Sequence, residues 1–458
     1  MTMPKPGAFA DLVTHGPFAD LLGKQPPKVA AEPRKPTSEP PVNLKDKKLL
    51  VMDFGLFTEA AVRLARDFGK VWICRPDEGG FPRLNEGMVG AGMENVEIVH
   101  HPWKYAHKAD MVATFDLYLG DFCQECVRQN IPTWSALRGE DLEIERTATQ
   151  REQQKRGLPT APFERVVGVK ALREYLKAHK NVWVKVERWR GVRESFQAES
   201  LEAVEPILRD IEHEQGPLAE DIPFMIVGDL PDRVEFGMDT FIVKGEHPKM
   251  GCGGIEIKDC GYLGLAQPWD KFPEPLTRWF KVMQPVLATY GYRGWLSTET
   301  RIGKDMKPFN IDITARMPAP PFELVIEWMK NFPEVVWSVA HGEMIEPEFE
   351  AKFGAAIIIK TSSPKSFQRV IFPPTDRKHI KLRYPCKREG IYQSIPQTVS
   401  VSETATAIAW AGTHREALLK AQDIAGHVKG CDLSPCEDVT RKALEQIEKG
   451  KAMGLQIF

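Results

Sequence analysis

The residues with the most chemical content lie in one passage. It runs Gly291-Tyr-Arg-Gly294, Trp295-Leu-Ser-Thr-Glu-Thr-Arg-Ile302, a short polar loop, and Phe309-Asn-Ile-Asp-Ile-Thr-Ala-Arg316. The pattern predicts a hairpin. In its second strand Phe309, Ile311, Ile313 and Ala315 alternate with Asn310, Asp312, Thr314 and Arg316, setting an apolar face against a polar one. A symmetric loop puts Ile302 beside Phe309, Glu299 opposite Asp312, Arg301 opposite Asn310 and Ser297 opposite Thr314. Two carboxylates directly opposite on one sheet face repel, and a neutralising cation is expected between them. Magnesium suits the place, because it takes one or two hard carboxylates and leaves its other positions to water and substrate phosphates. A solvated sheet face bridged by Arg301 and Arg316 explains the same residues, and taken alone is at least as good an account.

A second constellation raises the weight of the first. Trp183-Val-Lys185-Val186 predicts a strand with a lysine at its centre, followed by Glu187, Arg188, Trp189, Arg190, Gly191, Val192 and Arg193. Lysine inside an apolar strand is costly unless an anion meets it, and the next loop adds three cations around a single glycine. Phosphate contact accounts for both; a snorkelling lysine on an edge strand beside a basic surface turn is the alternative. The sequence has no G-x-x-x-x-G-K-[ST], no G-x-G-x-x-G between strand and helix, no H-E-x-x-H and no G-x-S-x-G. His100, His101 and His107 lack metal-ligand spacing. Any nucleotide must therefore be held by another fold.

The elements that would position these residues divide a chain of 458 residues, about three domains' worth. Lys+Arg total 61 against 63 Asp+Glu, so no global charge announces a nucleic-acid or membrane partner. The longest apolar stretches, such as Ala355 to Ile359, fall far short of the roughly 18 residues that span a bilayer, and a cytoplasmic protein is expected. Residues 1–45 hold nine prolines among Lys, Glu and Ala, and predict a disordered tail; its two Phe-Ala-Asp-Leu pieces are a docking motif or a chance echo. Residues 46–140 alternate strands (Leu49 to Met52, Val71 to Cys74, Val96 to Val99, Met111 to Phe115) with helical segments, one capped by Thr58, and predict a parallel α/β domain. Residues 141–350 open with a polar helix-like segment and then place strands and helices in α+β blocks. Residues 351–458 add a C-terminal α+β domain whose helix from His414 to Val428 starts with the capping spacing Thr413, Glu416. Cys123 and Cys126 make one C-x-x-C, best explained as two residues on one helical turn, and the eight cysteines form no disulfide framework.

In order along the chain, Lys185, Phe224 to Val227, Glu235-x-x-x-Asp239, Gly291-Tyr-Arg-Gly294, Glu299, Asp312-x-Thr314 and Arg316 resemble the ATP-grasp superfamily. The preceding α/β domain and the Gly412-Thr-His-Arg-Glu-Ala417 helix are similar to the phosphoribosylamine-glycine ligase branch. The resemblance implies a pre-ATP-grasp domain, an ATP-grasp domain and a closing domain. It also implies a ligase in which ATP phosphorylates a carboxylate to an acyl phosphate and an amine displaces phosphate. On that resemblance Lys185 contacts nucleotide phosphates together with Arg190 and Gly191, and Met225, Ile226 and Val227 form the hinge against adenine. Asp229 or Glu235 holds the ribose; Glu299, Asp312 and Thr314 carry Mg2+; Arg316 and Arg301 act in phosphoryl transfer. Gly251-Cys-Gly-Gly254 and the stretch from Lys258 form either a loop over the acceptor, with Lys258 as a cofactor-binding contact, or a structural turn.

The sequence also departs from the family pattern. Asp312-x-Thr314 stands where Glu-x-Asn is common, the glycine-rich loop is reduced to Gly191 among arginines, and Met317-Pro-Ala-Pro-Pro-Phe-Glu323 replaces the acidic signature of glycine ligases. Glycine and phosphoribosylamine are thus poor substrate candidates. ATP with a small carboxylate and an amine are the expected partners, with no membrane and a possible homodimer. A catalytically silent nucleotide-binding regulator is the competing function. A nucleic-acid acceptor is a third, prompted by Arg377, Lys378, Lys381, Arg383, Lys387 and Arg388.

Overall fold

Short runs of β-branched and apolar residues build a first, parallel sheet from β1 (Lys48–Met52), β2 (Lys70–Cys74), β3 (Val96–Val99), β4 (Met111–Thr114) and β5 (Thr133–Trp134), in the order β3-β2-β1-β4-β5. The computed structural model describes residues 42–76, 86–188, 194–397, 402–455 and 457–458; positions 1–41, with the two Phe-Ala-Asp-Leu pieces, lie outside the described residues. The helix Thr58–Leu64 follows β1, and Thr58 is its first residue rather than its cap. The buried Asp53 carboxylate does that work, accepting from the Gly55 and Phe57 amides (2.9 and 3.1 Å) and the Thr58 hydroxyl (2.6 Å). Cys123 and Cys126 lie buried on the helix Gly120–Arg128.

The second sheet is antiparallel, with β6 (Phe163–Val167), β7 (Val182–Val186), β8 (Ser195–Ala198) and β9 (Pro223–Gly228) in the order β6-β9-β7-β8. The helices Val169–Ala178 and Leu201–Gln215 present Leu172, Leu176, Val204 and Leu208 to one face of it, leaving the other face free to meet a ligand.

The third sheet has nine strands. It runs β14 (Pro308–Thr314), β13 (Arg293–Ile302), β10 (Val234–Val243), β11 (Met250–Ile257), β12 (Gly261–Pro268) and β15 (Phe353–Thr361), then Ser402–Ala411 and Ile380–Leu382, with Leu433–Pro435 completing the β15 edge. Residue 350, the expected domain boundary, falls between β14 and β15, and the sheet continues across it. Gly291 ends the helix Glu274–Tyr290 in the left-handed conformation (φ 64°), which turns the chain into β13. The His414–His427 helix is capped as the sequence predicts, the Thr413 hydroxyl accepting from the Glu416 amide at 3.3 Å. Residues 43–458 form one compact unit. No helix among the described residues is long and apolar enough to cross a membrane.

Candidate functional site

The β13–β14 hairpin sets Glu299 opposite Asp312 and Ser297 opposite Thr314. Beyond Glu299 the register shifts. Thr300 pairs with Asn310, Arg301 with Phe309 and Ile302 with Pro308, so Ile311 is an inserted bulge residue. The expected pairings of Arg301 with Asn310 and Ile302 with Phe309 are thereby corrected by one place. The bulge turns Asn310 into the core, where its Nδ2 donates to the Thr300 hydroxyl at 2.8 Å, and delivers Ile311 beside Asp312 to a cavity.

That cavity, about 850 Å3, lies between the four-stranded and nine-stranded sheets. Trp183, Lys185, Val227 and Gly228 line one wall; Glu235, Glu299, Arg301 and Asp312 line another; Lys360, Arg383 and Glu403 close a third side. Its size is within the roughly 300–1,000 Å3 of ordinary small-molecule sites. Lys185 meets the anion its strand position demands: its ammonium donates to the Ile311 carbonyl at 2.6 Å and stands 3.5 Å from Asp312. Met225 and Ile226 are buried, while Val227 and Gly228 reach the cavity. Asp229 accepts from the Trp183 indole at 3.3 Å, and Glu235 accepts from Arg301 at 3.0 Å. Lys258 lines the cavity with its ammonium 5.6 Å from the Trp183 ring centre. Arg190 and Gly191 lie outside the described residues. Gly251-Cys-Gly-Gly254 forms no loop: it belongs to β11, and its missing side chains make room for the Trp269 and Tyr262 rings rather than for a ligand.

The electrostatics distinguish the two facing carboxylates. Burial pushes Glu299 well above the ordinary glutamate range, and Glu235, Asp312 and Glu256 push it the same way. Burial would raise Asp312 too, but Arg146 and Lys185 overturn that and hold its carboxyl below the ordinary value. Arg146 contacts both Asp312 oxygens, at 2.9 and 3.1 Å. Arg316 lines the cavity and is held by Glu143 at 3.2 Å and Asp116 at 3.9 Å.

Arg146 and Glu143 escape a sequence reading. The segment expected as one polar helix is two, Asp141–Ile144 and Arg146–Lys155, broken at Glu145. Arg146, Thr147, Thr149, Gln150 and Gln153 are buried despite being polar. The Thr147 amide donates to Glu187 (2.6 Å) and the Gln150 amide nitrogen to the Asn310 carbonyl (3.2 Å), so this helix braces the hairpin from behind. The available signal was a charge-rich helix without an apolar stripe, which must either stay solvated or bury its polar face against another polar element.

The donor set suits magnesium in part. Among the described residues no group of three or more His, Cys, Asp or Glu could hold a metal by itself. Glu299, crowded by carboxylates, and Asp312 opposite it offer two hard oxygen donors, the number an ion shared with phosphates would need from the protein, with Thr314 on the same face.

The basic run does not form one continuous cationic face: Arg388 is exposed, whereas most of the others are paired with carboxylates. Lys381 is fully buried and pairs with Glu327 at 2.5 Å, Arg377 pairs with Glu59 (3.1 Å) and Glu94 (3.2 Å), and Arg383 with Glu323 (2.7 Å) and Glu403. Lys378 reaches Glu350 and Lys387 reaches Glu94. Apart from the exposed Lys378–Glu350 pair, these cations meet buried or half-buried carboxylates.

The two sheets gripping a charged cleft, preceded by a parallel sheet, define the ATP-grasp fold. Similar solved structures include a phosphoribosylamine–glycine ligase from Thermotoga maritima, 15% identical with a TM-score of 0.62 over 85% of this chain and 98% of that one. A biotin carboxylase–beta-gamma-ATP complex from Campylobacter jejuni is 15% identical, TM-score 0.61, over 88% and 96%. An L-amino acid ligase from Bacillus licheniformis is 17% identical, TM-score 0.57, over 84% and 99%. At these identities the likeness is one of fold. No family model and no curated protein matches the sequence.

Proposed function

We propose that the chain is an ATP-dependent ligase that activates a carboxylate as its acyl phosphate and joins it to an amine, releasing ADP and phosphate. The observation that carries this reading is the pair Glu299–Asp312, adjacent on β13 and β14, with the Lys185 ammonium 3.5 Å from Asp312 at the wall of a cleft of nucleotide size, in a fold shared with ligases and a carboxylase.

In this reading Val227 and Gly228 wall the base, with Met225 and Ile226 fixing the strand from the core side. Glu235 or Asp229 holds the ribose, and Lys185 and Lys258 meet phosphate oxygens. Glu299, Asp312 and Thr314 hold magnesium, which when bound neutralises phosphate charge. Arg316 offers a fixed cation to the transferring phosphoryl group, and Arg301 is oriented by Glu235 to act beside it. Phosphoryl transfer asks mainly for such positioning and charge neutralisation. Arg190 and Gly191 are assigned to phosphate contact on the sequence resemblance alone.

The test is ADP release from magnesium and ATP with pooled carboxylic acids and amines. Release should require both acceptor pools and should disappear in Glu299→Gln. A second reading, a silent nucleotide-binding regulator, draws on the Arg146 clamp, which occupies both oxygens of Asp312. Calorimetry showing ATP affinity without turnover across the panel would select it.

A further inference from the structure

Cys260 ends the turn between β11 and β12, directly after Lys258 and Asp259, both of which line the cavity. Cys436 follows the strand Leu433–Pro435, far along the chain. The two meet on Ile358. The Ile358 amide donates to the Cys260 carbonyl at 2.9 Å, and the Ile358 carbonyl accepts from the Cys436 amide at 2.8 Å. In an antiparallel ladder one opposing residue ordinarily supplies both partners. Here that single bridge position is divided between two cysteines. The Cys436 thiol donates to the carbonyl of Asp259, the residue directly before Cys260, at S···O 3.3 Å. Disulfides need Cα separations of roughly 4.4–6.8 Å, which favours cysteines whose backbones are both held on one shared residue. Both side chains are partly exposed, so an oxidant has access.

We propose that Cys260 and Cys436 close to a reversible disulfide that ties the cavity turn bearing Lys258 and Asp259 to the C-terminal segment. The two thiols give up two electrons and two protons. A small-molecule disulfide such as glutathione disulfide accepts them and leaves as two thiols. Burial and the neighbouring Cys260 thiol push the Cys436 thiol up to about 12. Closure joins the turn covalently to the segment that leads into the helix Val439–Ala452, and so restrains Lys258 from outside the cleft. The crosslink does not depend on the ligase reading.

The full chain is equilibrated against reduced and oxidised glutathione, alkylated and peptide-mapped. Two of the eight thiols should disappear, with one crosslinked peptide pair containing Cys260 and Cys436. The pair should persist in Cys431→Ser and vanish in Cys260→Ser and Cys436→Ser. Free thiols at both positions in excess oxidised glutathione, or a crosslink that runs through the exposed Cys431 instead, would overturn the assignment.

Discussion

Two regions of the molecule bury charge and do so in opposite ways. Glu59 and Glu327, both buried, sit among Lys381, Arg377, Arg63 and Arg66, which join the helices Thr58–Leu64 and Pro321–Trp328 to the strand Ile380–Leu382. Cations there are sufficient: burial alone would raise Glu327, yet Lys381 and Arg66 bring it below its ordinary value. In the cleft Glu299 faces Glu235, Glu256 and Asp312, and the nearby cations are already committed, Arg146 and Lys185 to Asp312 and Arg301 to Glu235. Glu299 is left with its carboxyl raised. A matched cluster closes the fold, whereas a mismatched one keeps a place for a charge supplied from outside.

The largest expected effect lies in the matched cluster. Lys381→Ala removes the fully buried cation that stands between Glu59 and Glu327, and breaking such a buried pair costs about 3–5 kcal/mol. Urea unfolding reads it directly, and a loss under about 1 kcal/mol would mean that Arg377 and Arg66 suffice without the lysine.

Next comes the cleft. Glu299→Gln should reduce ADP release roughly 100-fold or more, the scale of losing one charge-organising group in a transition state. The same variant should not destabilise the fold. Removing one of several crowded carboxylates is expected to raise stability by about 1 kcal/mol, the trade-off common at sites built for a ligand. A Glu299→Gln protein that unfolds more easily than wild type would show that the carboxylate is structural. Magnesium supplies a sharper version: the ion should tighten ATP binding to wild type in calorimetry and leave the Glu299→Gln titration unchanged.

How much of this contrast the sequence reveals depends on which residues are apolar. Strands such as Val96–Val99 and Val234–Val243 are legible because apolar or alternating runs leave few other structures open. The facing of Glu299 and Asp312 is legible for the same reason, since the alternation and a short loop fix it. The bulge at Ile311 is not, because an apolar residue there fits both a regular and a bulged strand. The brace supplied by Arg146 is hidden more deeply, since its burial comes from ion pairing across 166 residues and leaves no local period. The basic run misleads by the converse: seen alone it resembles a phosphate-binding face, and only the fold brings Glu59, Glu94, Glu323 and Glu327 to it.

The smallest effect is the dependence of stability on pH, and its sign separates the two regions. Glu256 is exposed to the cleft, yet the crowding of the cleft walls around it, with Glu235 and Asp259 nearby, lifts it to about 7 from 4.5. An acid raised in the folded state binds more protons folded than unfolded in that window, so its contribution is complete below about 4.5 and is lost as pH rises toward 7. Glu94, which pairs with the same Arg377 that serves Glu59, behaves oppositely. Burial would raise it, but hydrogen bonds from Tyr392 and Lys387 and the charge of Arg377 bring it to about 2. Its contribution is complete above about 4.5 and is lost as pH falls toward 2. Urea midpoints for wild type, Glu256→Gln and Glu94→Gln across this range should therefore diverge on opposite sides of pH 4.5. Wild type should lose ground to Glu256→Gln on the alkaline side, and its advantage over Glu94→Gln should shrink on the acid side. Three parallel curves would mean that neither carboxyl changes its proton affinity on folding, and the electrostatic contrast between the cleft and the matched cluster would lose its support.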